Sequence, residues 1–108
     1  MDQWPMFRTR GSDKLMVHIN NFLGLVSGKG LPAVLCFYFH PWEFVEMKEK
    51  YHFGEGTVIP DKFITKNCGE YALKELGRLI DGLKELDAKF YSAKGLAKIW
   101  KDIKKPDA

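Results

Sequence analysis

Residues 34 to 44, with the sequence VLCFYFHPWEF, bring together the side chains of this chain best suited to chemistry. A long apolar run ends at His40, and Trp42 and Glu43 follow closely. A histidine can donate or accept a proton at neutral pH, so His40 is a candidate general acid or base. The residues alone leave a second interpretation open, in which His40 ends a strand and packs beside an aromatic ring.

The run that precedes His40 predicts how the histidine is positioned. Residues 33 to 39 are apolar without alternation, which is typical of a strand covered on both faces in a parallel sheet. Pro41 lacks a backbone donor and should end the strand, which places His40 at its carboxyl end. In open sheets and barrels of the α/β class, that end is where sites form.

Three helices are predicted around this strand. The first covers residues 12 to 27, with Ser12 as its cap and Gly28 as its stop. The second starts at the capping-box-like pair Asn67 and Glu70 and reaches residue 86. Ser92 caps the third, whose apolar stripe is Leu96, Ile99, Trp100 and Ile103.

The remaining segments complete an α-β-α-β-α order. Residues 89 to 91 are a second strand candidate, and residues 47 to 65 lack a sustained period and are predicted to be a long loop. Alternating helices and strands indicate the α/β class with a small parallel sheet. Two strands leave too many unpaired edges for a complete sheet, so the 108 residues are expected to form one domain that is part of a larger barrel.

Three strings in this part of the chain resemble one known family. FYFHPWEF, then PDKF and KNCGEYALKEL, are similar to the C-terminal portion of polysaccharide deacetylases related to carbohydrate esterase family four, over residues 31 to 100. The resemblance implies a (β/α) barrel in which His40 is the general acid that protonates the departing sugar amine. It also implies substrate binding by Tyr38, Trp42 and Glu43, although Tyr38 stands where the family usually has a leucine beside the acetate pocket, and Trp42 alternatively plugs the barrel end.

The family's metal-binding motifs are missing from this sequence. There is no Asp-Asp pair and no His-x-x-x-His string, and His18, His40 and His52 are far apart. Metal-assisted deacetylation needs an ion to polarise the carbonyl and activate water. We therefore expect no metal and no other cofactor in this chain, and a divalent ion such as zinc only with an N-terminal half. A metal held by His40, Glu43 and His52 is the alternative.

Composition restricts the partners. The net charge is +3, and Lys94, Lys98, Lys101 and Lys105 are predicted to form a solvated helix face, so we expect no nucleic-acid partner. No apolar run is long enough for a membrane span. The two cysteines, Cys36 and Cys68, lack metal or redox spacing, which favours a reducing, cytoplasmic location.

The sequence thus predicts a deacetylase-like C-terminal fragment, related to hydrolases that act on N-acetyl sugars but inactive alone. Its expected partners are a carbohydrate and either a separately encoded N-terminal half or further copies of itself. The alternative is a small interaction module that self-associates through an exposed strand edge and has no catalysis. A nucleic-acid-binding domain is a third interpretation, which rests only on the lysine face.

Overall fold

The computed structural model describes residues 6 to 104 and shows a mixed fold that is mainly helical. The helices are α1 (Met6–Thr9), α2 (Ser12–Gly28), α3 (Lys62–Thr65), α4 (Glu70–Glu85) and α5 (Ala93–Lys104), with a 3-10 turn at Pro41–Phe44. The strands are β1 (Tyr51–Phe53) and β2 (Gly56–Val58). None of the described helices is long and apolar enough to cross a bilayer.

The first long helix, α2, has nearly the predicted bounds but a different start. Gly11, at φ 93°, occupies the cap position, and Ser12 is the first helical residue, so the prediction of Ser12 as the cap is wrong. The amides of Gly30 and Leu31 donate to the carbonyls of Ser27 and Val26 at 3.1 and 3.0 Å. These two hydrogen bonds close the C-terminal end of the helix, and they require a residue in the left-handed backbone conformation. Gly30 has that conformation, with φ 66°.

Helix α4 starts later than its capping-box pattern predicted. Its cap is Gly69, whose amide donates to the Glu43 carbonyl at 2.9 Å. Asn67 has φ 60° and uses its side-chain Nδ2 to donate to the Arg8 carbonyl at 3.0 Å. A Cβ at residue 69 would lie 3.1 Å from the Glu46 nitrogen, and φ is 98° there, so glycine is needed.

The predicted parallel sheet is not supported. Residues 33 to 39 form no strand beyond an isolated β-bridge at Phe37, and residues 89 to 91 form no strand. The sheet lies instead in the segment predicted to be a loop, where β1 and β2 pair antiparallel with Tyr51 opposite Val58. Two three-residue strands joined by a turn at Gly54 are too short to give a visible alternation in the sequence. No barrel is present within residues 6 to 104.

The third predicted helix is confirmed as α5. The Ser92 hydroxyl oxygen accepts a hydrogen bond from the Gly95 amide at 3.0 Å, as expected of an N-cap. Lys94, Lys98 and Lys101 are exposed on it, and Lys105 of the predicted lysine face lies outside the described residues. The helix begins after Glu85 and a linker, and it lies apart from the packing of α1, α2 and α4.

The hydrophobic core forms where α1, α2 and α4 meet. Its buried members are Phe7, Leu15, Ile19, Ala72, Leu79 and Leu83. The chain measures 65 × 27 × 20 Å and has a radius of gyration of 17.7 Å, whereas a compact chain of this length would have one of about 13 Å. The core is therefore small for the size of the molecule, and one end of it lies beside the 3-10 turn.

Candidate functional site

A cleft of about 110 Å³ lies where residues 38 to 40 meet the 3-10 turn. Its lining residues are Arg8, Tyr38, His40, Trp42, Glu43, Phe63 and Ile64. The turn forms because Pro41 has a fixed φ and needs no amide partner, and the Glu43 amide then donates to the His40 carbonyl at 3.0 Å. All four residues that the sequence nominated, His40, Tyr38, Trp42 and Glu43, are thereby brought together.

The His40 ring is held between aromatic side chains and remains open to solvent. The Trp42 ring stacks on it at 5.1 Å between centroids and 23° between planes, and the Tyr38 ring meets it edge-on at 4.8 Å. The imidazole is 42% exposed. His40 Nδ1 lies 3.5 Å from the Glu43 carboxylate, so Nε2 is the ring nitrogen left for a ligand. This arrangement suits proton transfer in a partly apolar cleft.

Glu43 supports the histidine from behind the cleft. The residue is 2% exposed, and its Oε2 accepts a hydrogen bond from the His40 amide at 2.7 Å. Its Oε1 accepts one from Arg8 Nε at 3.1 Å. With both oxygens engaged and almost no exposed surface, the carboxylate orients His40 and Arg8.

Arg8 is the residue of this site that sequence reasoning missed. It is 1% exposed, pairs with Glu43, donates to the Lys66 carbonyl, and places its guanidinium 5.8 Å from the centroid of the Trp42 ring. It precedes the first predicted helix and belongs to no motif. The available signal was indirect, since a carboxylate beside two aromatic residues in an apolar segment needs a cation when it is buried.

The alternative metal set is not brought together. His52 lies on β1, where its Nδ1 is 3.0 Å from the Thr57 hydroxyl, and His18 is exposed on α2. Among residues 6 to 104, no three His, Cys, Asp or Glu side chains are close enough to hold an ion. The described residues therefore do not fit the ion that the family resemblance implies, and no step through a metal is derived for them.

A second buried polar group joins α2 to α4 on the far side of the core. Ser12 and Glu75 are 1% and 5% exposed, and the Glu75 carboxylate accepts hydrogen bonds from the Ser12 hydroxyl at 2.5 Å and the Ser12 amide at 3.0 Å. The Ser12 hydroxyl is the main reason that the pKa of Glu75 lies below its usual range. Both residues are fully engaged, which makes this group structural.

Cys68 contributes no reactive thiol. Burial raises the pKa of its thiol, against a smaller opposing effect of Arg8, and its Sγ lies 3.4 Å from the Ile64 carbonyl. A thiol whose pKa is raised is a poor nucleophile at neutral pH.

Comparison with protein-family models, with curated proteins and with solved structures found no match to this chain.

Proposed function

We propose that this chain is the C-terminal portion of a polysaccharide deacetylase-like protein, with His40 as the general acid. The observation that carries the proposal is the environment of His40: a partly exposed imidazole in a cleft with Tyr38 and Trp42, fixed from behind by Glu43. The HPWE string, which carries the resemblance, is the same string that builds this cleft.

In this proposal His40 acts late in the hydrolysis of an N-acetyl group. When the bond between the carbonyl carbon and the sugar nitrogen breaks, its electron pair moves to the nitrogen, and the imidazolium Nε2 gives that nitrogen a proton. Glu43, at 3.5 Å from Nδ1, fixes the orientation of the His40 ring. The exposed ring of Tyr38 and the half-buried ring of Trp42 supply apolar surface for a sugar ring.

The rest of the reaction requires groups that residues 6 to 104 do not bring together. A base that activates water and an ion that polarises the acetyl carbonyl would come from a separate N-terminal half. The proposal therefore assigns this chain a share in substrate binding and one proton transfer.

Binding of acetylated chito-oligosaccharides to the isolated chain tests this proposal. We expect the sugar to shift the NMR signals of the Trp42 indole and the His40 ring, and Trp42→Phe to weaken binding at least tenfold. Trp100→Phe is the matched control, because Trp100 is 38% exposed on α5, away from the cleft. Absence of binding, or equal loss in the two variants, would contradict the proposal.

We also propose self-association, because the chain exposes an unusually large surface. Its accessible area is 8662 Å², whereas a folded monomer of 12.5 kDa exposes about 6,200 Å². Large hydrophobic side chains contribute to it, including Val17, Leu25 and Tyr38, each more than half exposed. Light scattering at micromolar concentration tests this, with a dimer of twice 12.5 kDa expected and a stable monomer as the contradicting result.

A further inference from the structure

The positive charge of this chain is concentrated in residues 89 to 104. This segment contains five lysines and one acidic residue, Asp102. The whole chain has 17 basic and 14 acidic side chains, so the other 92 residues hold 12 basic and 13 acidic ones and are nearly neutral. A charge asymmetry of this kind favours an anionic partner for the charged part of the chain.

Helix α5 separates these lysines from its apolar residues. With 3.6 residues per turn, Lys94, Lys98 and Lys101 share one face, and the opposite face carries the apolar stripe. That stripe consists of Leu96, Ile99, Trp100 and Ile103. Because the three lysines are exposed, α5 is an amphipathic helix with one cationic face.

The apolar stripe is only partly covered by the rest of the chain. Helix α5 lies apart from the packing of α1, α2 and α4, and no residue from 93 to 103 is buried. Leu96 and Ile103 line a cleft of about 320 Å³ beside residues 33 to 35. Trp100 is 38% exposed, and Phe90 and Tyr91 of the preceding linker are about half exposed. Apolar and aromatic surface is therefore present beside the cationic face.

We propose that residues 89 to 104 bind the surface of an anionic lipid bilayer, with α5 parallel to the membrane plane. A helix of 12 residues is about 18 Å long and cannot cross a hydrocarbon core of about 30 Å. Helices with lysines on one face and tryptophan and aliphatic residues on the other bind where the headgroups meet the acyl chains. The apolar stripe enters this boundary, and the lysines attract the anionic headgroups.

The aromatic side chains favour a bilayer over other anionic partners. A nucleic acid is bound mainly through its phosphates, which requires the lysines but gives the apolar stripe no role. Tryptophan and tyrosine are enriched at the interface between membrane and water, because an apolar ring and a polar group are combined in one side chain. Lysine has a long apolar stem, so its ammonium group reaches the headgroups while the stem covers apolar surface.

Vesicle binding by the whole chain tests this proposal. We expect vesicles of phosphatidylcholine with phosphatidylserine to bind the chain at least about tenfold more tightly than vesicles of phosphatidylcholine alone. The difference should fall as salt is added, because salt screens the attraction between the lysines and the headgroups. Equal binding to the two kinds of vesicle would overturn the proposal.

Two triple variants locate the attraction on α5. Each lysine near an anionic membrane contributes about fivefold to the affinity, so three together contribute about 100-fold. This loss is expected for the variant that combines Lys94→Gln, Lys98→Gln and Lys101→Gln. Glutamine forms helices about as well as lysine, so α5 is retained. The matched control removes the same charge from exposed positions outside α5, by Lys48→Gln, Lys50→Gln and Lys62→Gln. Equal losses in the two variants would overturn the proposal.

A third comparison tests the apolar face. Trp100→Ala should weaken vesicle binding at least about tenfold, because its ring no longer enters the membrane boundary. Leu25→Ala, at an exposed position of α2, is the control and should leave binding unchanged. Binding of polyglutamate or RNA as tight as that of vesicles, and unaffected by Trp100→Ala, would assign the lysines to another partner and overturn the proposal. His40→Ala should bind vesicles like the parent chain, so the result is independent of the proposed deacetylase role.

Discussion

Arg8 and Glu43 form an ion pair that is shielded from water on both sides, with 1% and 2% of each residue exposed. Removing one partner leaves a buried charge without its counterion, which costs about 3–5 kcal/mol. We therefore expect Arg8→Met to lower the free energy of unfolding by about that amount in urea denaturation. Arg8→Met combined with Glu43→Leu should lose less than Arg8→Met alone, because no charge is then left buried.

Arg78 provides the matched control for Arg8. It donates two hydrogen bonds to the exposed Asp13, at 2.8 and 2.9 Å, and one to the buried Glu75 at 3.2 Å, but its own side chain is half exposed. Water and salt screen an exposed guanidinium, and the Ser12 hydroxyl still donates to Glu75, so Arg78→Met should change stability less than Arg8→Met. Equal losses in the two variants would show that the Arg8–Glu43 pair is not the source of the effect.

The bond between Ser12 and Glu75 should make stability depend on pH. Because the Ser12 hydroxyl keeps the pKa of Glu75 low in the folded state, its contribution is present above the pKa of the unfolded chain and is lost as pH falls through the folded pKa. Ser12→Ala should cost about 1.5–3 kcal/mol at pH 7 and less at pH 3. Ser27→Ala, on the exposed side of α2, should show no pH-dependent loss; a constant loss for Ser12→Ala would contradict the assignment.

The sequence predicted His40, Trp42 and Glu43 as cleft residues, but it did not predict the ion pair with Arg8 that holds Glu43 in place. His40, Trp42 and Glu43 are adjacent in the chain, and Pro41 dictates the local turn, so their proximity is a local property. Arg8 and Glu43 are joined only by the tertiary fold, across a gap of 35 residues. A contact of that kind has no period and no motif that a single sequence reveals.

Among the elements, the end of α4 offers a test of backbone strain. Asp87 has φ 57°, and its amide donates to the Lys84 carbonyl at 3.0 Å in the closure that ends the helix. Left-handed backbone is unfavourable for residues with a Cβ, so Asp87→Gly should stabilise the protein by about 0.5–1 kcal/mol. Thermal unfolding would measure the change.

Asp81 gives the opposite expectation for the same substitution. It is exposed in the middle of α4, where glycine is a poorer helix former than aspartate by about 0.3–0.5 kcal/mol. Asp81→Gly should therefore destabilise the protein. If both variants shift the melting temperature in the same direction, the left-handed strain at residue 87 is not the cause.

The three long helices were predictable because each repeats its apolar spacing over several turns, while the strands were not. Apolar residues without alternation at 33 to 39 predicted a central strand, yet pairing depends on segments distant in the chain. The hydrophobic pattern of a segment indicates which of its faces is buried, but it does not indicate which other segment pairs with it. The hairpin of β1 and β2 was not predicted, although its strands are neighbours in the chain. Each strand has only three residues, which is too short for an apolar pattern to be detected.

For the molecule as a whole, the described residues bring no set of metal ligands together, and this leads to a prediction about deacetylase activity. A general acid contributes about 100- to 10,000-fold to a rate, whereas water activation and carbonyl polarisation depend on the ion. The purified chain should therefore show no turnover of acetylated chito-oligosaccharides with added zinc or cobalt. Mass spectrometry should find no stoichiometric metal. Turnover abolished by His40→Ala, with about one ion per chain, would contradict the prediction.

The position of α5, apart from the packing of α1, α2 and α4, has a consequence for how the chain unfolds. Leu96 and Ile103 line a cleft beside residues 33 to 35, and no residue from 93 to 103 is buried, so few buried contacts oppose the opening of this helix. Amide hydrogens of α5 should exchange with deuterium through local opening, well before those of α4, whose Leu79 and Leu83 are buried in the core. Local opening of α5 should therefore precede the cooperative unfolding of the core, and the α5 amides should exchange at temperatures at which the α4 amides are still protected.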